Sequence, residues 1–306
     1  MTNATLPQVV YVGLQKTGST YLRHYFFQHP EIGCSRHGIF FQTDAADVEA
    51  RGADAVRADY RARLSGEPAA TCRIDMYEGL AMGYLLHGLE KWDAGVFLSP
   101  RDGLASPHAE SAPDAVARRI HAVLPEARIL LTVRSQLAWL DSNYRWYLPL
   151  LPPGRARFQD FLDTLEGRFA LDAGHFDRTA EIYASCFGSE RVLVLPLELL
   201  ERDEPASLAR VCGFLGVAAL PYPEERKNRN RGPEIAFDAL PRAAGSVAER
   251  LRRRLGHLLP RALRDAPRDG VLRPSERALL AAHYSAANAR LARRLGVDLG
   301  ALGYPV

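Results

Sequence analysis

The sequence predicts an α/β protein of three layers, a central and mostly parallel sheet with helices on both faces. Three observations point there. The apolar runs at 9–12, 127–133 and 191–196 are continuous rather than alternating, the pattern of strands covered on both sides. Each run is followed by a segment of helical character: Tyr21, Leu22, Tyr25 and Phe26 after the first, Leu137, Leu140, Tyr144 and Tyr147 after the second, and 205–215 after the third. Finally, 306 residues with 47% hydrophobic content suffice to bury one sizeable core or two small ones. The expectation is one domain over 1–306, with 226–306 as a basic, helical C-terminal portion.

Composition excludes several classes. No apolar run approaches the ~20 residues of a membrane span. The first residues, Met-Thr-Asn-Ala-Thr-Leu-Pro, carry neither a basic nor an apolar leader region, so a cytoplasmic protein without an integral membrane segment is expected. Cys34, Cys72, Cys186 and Cys212 lack C-x-x-C spacing and read as buried thiols rather than a zinc site or disulfide frame. The net charge of +3 hides an asymmetry, since 226–306 holds 17 Lys/Arg against 7 Asp/Glu. In the run Arg250-Leu-Arg-Arg-Arg254, Leu251, Leu255, Leu258 and Leu259 mark an amphipathic stripe, so the charge there reads as a solvated helical face. Nucleic acid is not an expected partner, for neither zinc-finger spacing nor a strand-binding aromatic pattern is present. The sequence leaves the oligomeric state open.

In chain order, the first strand, 9–12, runs into a loop bracketed by Gly13 and Gly18, and a helix follows. Strand, glycine loop and helix start form the architecture that holds a phosphate, because the first N–H groups of a helix are unsatisfied and its dipole favours an anion. Lys16 adds a full positive charge, and Thr17, Ser19 and Thr20 add hydroxyls. An ordinary loop-to-helix turn uses the same residue types. The spacing differs from G-x-x-x-x-G-K-[ST], in which lysine directly follows the second glycine; here Lys16 precedes Gly18 by two residues.

From 27 to 110 the pattern is least regular. Gln28-His29-Pro30 ends the first helix, 47–64 is helical in character, and Cys72-Arg73-Ile74-Asp75 is expected to be the second strand, with 96–99 the third. Pro113 opens a helix through Val123. The strand at 127–133 then ends at Arg134, with Ser142 eight residues further on in the following helix. Both belong at the rim of the sheet, where open α/β sheets bind ligands, and the arginine fork suits a phosphate.

These two stretches together resemble the PAPS-dependent sulfotransferases, the enzymes that use 3′-phosphoadenosine 5′-phosphosulfate. Lys16 ahead of Gly18 is similar to their 5′-phosphosulfate loop. Arg134 and Ser142 match their Arg-x7-Ser element, and 134–147 resembles the R-x-Q-x-x-x-x-x-S-x-Y string of bacterial members, which Phe158-Gln-Asp-Phe-Leu162 continues. Phe214-Leu215-Gly216 and the closing Gly303-Tyr304 resemble further family segments. The resemblance implies a P-loop-like fold, PAPS as co-substrate with adenosine 3′,5′-bisphosphate as product, and no metal. It implies that Gln15, Lys16, Thr17, Gly18, Ser19 and Thr20 hold the 5′ end, with Lys16 at the leaving oxygen, and that Arg134 and Ser142 hold the 3′-phosphate. Lys227, Arg229 and Arg231 fall where family members carry a basic loop over the nucleotide; a solvated linker reads the same. Two bases stand open. Arg36-His37-Gly-Ile-Phe-Phe41 aligns with a heparan-type segment and puts His37 in the base position, while Glu78 lies in a segment similar to a bacterial Glu-Gly-Leu loop.

The branch implied is the bacterial, carbohydrate or heparan-type one, and the expected acceptor is a hydroxyl on a carbohydrate or glycolipid. Phe40, Phe41, Trp139 and Trp146 would equally suit a phenolic natural product, or the core. A P-loop nucleotide kinase and a nucleotide-binding module without catalysis are the competing readings. The missing Gly-Lys-Ser/Thr counts against the kinase.

Overall fold

In the computed structural model of the chain, the described residues are 9–14, 16–35, 48, 51–64, 68–76, 113–147, 158–163, 165–222 and 272–306. Five strands form one sheet: β1 (Val9–Tyr11), β2 (Ile32–Ser35), β3 (Cys72–Met76), β4 (Arg128–Val133) and β5 (Val192–Pro196), in the spatial order β2-β3-β1-β4-β5. Every pairing is parallel, with Tyr11 beside Met76 on one side and Leu130 on the other. From β1 the chain moves out to β2, returns through β3, and crosses to β4 and β5 on the opposite side. β1 is therefore the switch point of the sheet, and the crevice beyond its C-terminal end is where such sheets receive ligands.

Alternate residues of the central strands face opposite layers. Val9 and Tyr11 of β1, with Leu130 of β4, pack under α1 (Ser19–Gln28), α8 (Leu197–Arg202) and α9 (Glu204–Leu215). Val10 and Val12, with Ile129, Leu131 and Val133, face α2 (Ala53–Leu64), α3 (Pro113–Val123), α4 (Gln136–Tyr147), α7 (Phe176–Phe187) and α10 (Pro274–Leu295). Two short helices, α5 (Phe158–Leu162) and α6 (Leu165–Ala173), lead from α4 towards α7. Burial on both faces is why these strands carry unbroken apolar runs.

The three-layer α/β expectation holds, with one adjustment. The strand at 72–75 is the third rather than the second, because Ile32-Gly-Cys-Ser35 pairs along β3. Those four residues, with a glycine in the middle, carry little β-propensity of their own, and pairing to a buried neighbour makes the strand. The expected strand at 96–99 and the stripe from Leu251 to Leu259 lie outside the described residues. Cys72 and Cys212 are buried, Cys34 and Cys186 are half-buried, and all four are free thiols.

The helix ends differ in a way that bears on the site. Asp203 caps α9 by accepting the Ala206 N–H at 3.0 Å. Glu276 at the head of α10 accepts the Arg273 N–H at 2.7 Å. Gly18 precedes α1 in the left-handed region (φ 94°), no side chain caps that helix, and its first turn holds no acidic residue. The first turn of α1 thus leaves its dipole uncompensated.

On the far face, His175 and His283 bring their Nε2 atoms within 3.1 Å between α7 and α10. One ring must donate and the other accept, so both cannot be protonated there. Burial first, and the His283 charge second, lower the pKa of His175, against weaker opposition from Asp177 and Asp172. A histidine with a depressed folded pKa lets the unfolded chain take its proton first, so its contribution is present above pH ~6.5 and lost as pH falls through the folded value. The melting temperature is expected to fall between pH 7.5 and 5.5, and His283→Gln to reduce that fall; an unchanged pH dependence in the variant contradicts the assignment.

Candidate active site

The loop after β1 is built from inside. Thr17 is fully buried and its hydroxyl donates to the Leu14 carbonyl at 2.5 Å. A hydroxyl has one hydrogen, so the 2.7 Å contact between Thr17 Oγ1 and Thr132 Oγ1 must be donated by Thr132. By the same reasoning, the 2.6 Å contact between Tyr11 Oη and Thr132 Oγ1 is donated by Tyr11. The result is a one-way buried chain, Tyr11 to Thr132 to Thr17 to the Leu14 carbonyl, joining β1, β4 and the loop. All three side chains are buried, and such linked bonds polarise one another.

Gly13 makes room for this chain. A Cβ there would fall 2.2 Å from Tyr11 Oη and 2.4 Å from Thr132 Oγ1. Gly18 closes the loop in its left-handed turn, and a Cβ on it would meet Leu197 Cδ1 at 2.7 Å. Between them Lys16 has φ 64°, a conformation that costs an L-residue free energy and persists only where its surroundings impose it. Among the described residues it is the one non-glycine with positive φ.

Arg134 leaves the C-terminal end of β4 half-buried, and its Nη1 reaches the Lys16 carbonyl at a long 3.4 Å. Among the described residues no carboxylate forms an ion pair with it, and the hydrogen bond to Lys16 is a weak claim on a group with five N–H donors. The loop behind it is firmly held: the Ser135 N–H donates to Glu198 Oε1 at 2.8 Å, and Ser135 Oγ to the Gly303 carbonyl at 2.7 Å. Ser142 is half-buried two turns into α4.

The residues singled out from sequence divide accordingly. Lys16, Gly18, Ser19, Thr20, Arg134 and Ser142 lie in the β1–α1 and β4–α4 segments, which begin on adjacent strands at one edge of the sheet. Thr17 is in the same loop, but its hydroxyl is used inside the protein, leaving its backbone N–H for any ligand. Gln15, His37, Glu78, Lys227, Arg229 and Arg231 lie outside the described residues. Trp139 is fully buried edge-on to Phe176 and belongs to the core. Thr132, Glu198 and Tyr304 were not legible as parts of this site, since each acts through residues more than 60 positions away.

An uncapped helix head and an arginine without a carboxylate partner among the described residues thus stand at one rim of the sheet, a donor set of the kind that suits anionic groups. The sulfotransferase family model matches residues 7–221, and the chain belongs to that family. Members generally take their sulfuryl group from PAPS. Among solved structures, a sulfotransferase from Alicyclobacillus acidocaldarius is similar over 97% of this chain and 99% of its own, at 18% identity and a TM-score of 0.61, which supports the fold. The sulfotransferase domain from the curacin biosynthetic pathway aligns over 96% of this chain and 99% of its own, at 16% identity and a TM-score of 0.44. Comparison with curated proteins finds no match. The family match sets the kinase reading aside. Among the described residues, no helix is long and apolar enough to cross a membrane.

The buried hydroxyl chain gives a direct test. Thr132→Val removes the middle link of the chain, the hydroxyl that accepts from Tyr11 and donates to Thr17, a loss of roughly 1–3 kcal/mol. Thr132→Ser keeps the hydroxyl and is expected to be milder. Equal denaturant midpoints for the parent and Thr132→Val would show that the chain holds nothing.

Proposed function

We propose that this protein transfers a sulfuryl group from PAPS to an acceptor hydroxyl on a carbohydrate or glycolipid. The observation that carries the reading is the junction of the two loops, where Arg134 Nη1 meets the Lys16 carbonyl beside the uncapped head of α1. Two separate anion-binding elements at one rim suit a nucleotide phosphorylated at both its 5′ and 3′ positions. Support for the acceptor class is the similarity of the helix after Arg134 to that of bacterial family members.

When bound, PAPS supplies an activated sulfuryl group, and the protein's residues divide the remaining work. The N–H groups of Gly18, Ser19 and Thr20, with the hydroxyls of the last two, hold the 5′ end, and Gln15 and Thr17 flank them. The Lys16 ammonium stabilises negative charge on the departing oxygen. Arg134 and Ser142 hold the 3′-phosphate, the arginine through its fork and the serine as a neutral donor. Lys227, Arg229 and Arg231 close over the nucleotide. These cationic groups and N–H donors meet the charge of the reaction without a metal ion. His37 takes the acceptor's proton, with Glu78 its rival. His37 follows β2 by two residues and Glu78 follows β3 by two, and both strands end at the rim that β1 shares.

The assay uses labelled PAPS with a panel of sugars, glycolipids and phenols. Lys16→Ala is expected to lower kcat by more than it weakens nucleotide binding, because the charge it meets appears mainly in the transition state. His37→Ala is expected to lower kcat by ~10²–10⁴ with nucleotide affinity nearly intact. If Glu78→Gln loses activity while His37→Ala retains it, the glutamate is the base. Transfer to phenols alone would overturn the acceptor class. Binding without transfer to any acceptor would favour the non-catalytic module.

A further inference from the structure

The last residues of the chain, beyond the segment that the family model matches, return to the arginine loop. Tyr304 is almost fully buried and its hydroxyl donates to Glu198 Oε2 at 3.0 Å. The other oxygen, Oε1, receives the N–H of Ser135, the residue next to Arg134, at 2.8 Å. Four further bonds tie the tail, in part through Asn288 of α10, to the same segment. Ser135 Oγ donates to the Gly303 carbonyl at 2.7 Å. Gln136 and Asn288 exchange amide bonds of 2.7 and 3.0 Å. Asn288 Nδ2 also donates to the Pro305 carbonyl at 2.7 Å.

Glu198 is costly at this place. Burial raises its pKa, against the opposing pull of the Ser135 N–H, its own backbone N–H, the Tyr304 hydroxyl and the Arg134 charge. A carboxylate withdrawn from water is tolerated where hydrogen bonds answer both oxygens, and here they do. It forms no ion pair with Arg134 within the described contacts, so it leaves the guanidinium available while fixing the backbone that carries it. Leu197, its neighbour, is the side chain that an added Cβ on Gly18 would strike. One corner, from Pro196 to Glu198, therefore abuts both anion-binding loops.

We propose that Glu198 and Tyr304 are positioning residues for recognition of the donor's 3′-phosphate: the C-terminal tail clamps Glu198, Glu198 clamps the N–H of Ser135, and Arg134 is thereby aimed. The proposal rests on the reading that Arg134 meets the 3′-phosphate. A residue that merely stabilises the fold would weaken every nucleotide alike. A residue that aims Arg134 weakens only those with a 3′-phosphate.

The test measures dissociation constants for adenosine 3′,5′-bisphosphate and AMP in the parent, Tyr304→Phe and Glu198→Gln. The parent is expected to prefer the bisphosphate. Each variant is expected to lose about tenfold of that preference, the scale of one hydrogen bond to a charged group, with AMP affinity unchanged. In turnover, the KM for PAPS is expected to rise by a similar factor with kcat at saturation nearly constant. Retained AMP binding shows that a variant is folded. Variants that keep the parent's preference, or lose both ligands equally, overturn the proposal while leaving the role of Arg134 intact. A parent without preference overturns the Arg134 reading itself, and the proposal with it.

Discussion

A backbone loop that must offer its N–H groups to a ligand cannot also satisfy them within the protein, so something else has to hold it in shape. Here that is the buried hydroxyl chain from Tyr11 through Thr132 and Thr17 to the Leu14 carbonyl. It joins the first strand, its neighbour and the loop without using a single N–H at the head of α1. Gly13 leaves the space the chain occupies, and the positive φ of Lys16 is the strain imposed by so tight a return. Loss of the chain would free the loop to relax, and with it the placement of the lysine.

The second half of the site depends on this first half through few contacts. Arg134 reaches the Lys16 carbonyl, and Leu197 lies against Gly18 while Glu198 holds Ser135. The two loops share one corner of β5 and α8, so a shift in either is felt by the other. The parallel sheet makes this possible, because every strand delivers its C-terminal loop to the same rim. A fold that gathers loops from distant parts of the chain can bring two such loops together over a separation of more than 100 residues.

Much of this was legible in the sequence, and the reasons are specific. β1, β4 and β5 were visible because burial on both faces demands continuous apolar runs, and Pro113 and Gly216 punctuate the helices they bound. Lys16 and Arg134 could be picked out as candidates because each follows a strand whose end was already evident, and Ser142 because of its spacing from Arg134. β2 was missed, since Ile32-Gly-Cys-Ser35 becomes a strand only through its neighbour. The inward turn of Thr17 was hidden because its partner, Thr132, lies 115 residues away. The closing Gly303-Tyr304 stood out only by resemblance, and its bond to Glu198 was hidden for the same reason: a contact made in the folded chain leaves no periodicity or spacing behind.

The central claim is that two phosphates are held by two loops meeting at one rim, and a crystal structure with adenosine 3′,5′-bisphosphate tests it most directly. The 5′-phosphate is expected over the loop from Lys16 to Thr20, with the 3′-phosphate on Arg134 and Ser142. A nucleotide found with its phosphates reversed, or bound away from Arg134 altogether, would contradict the account.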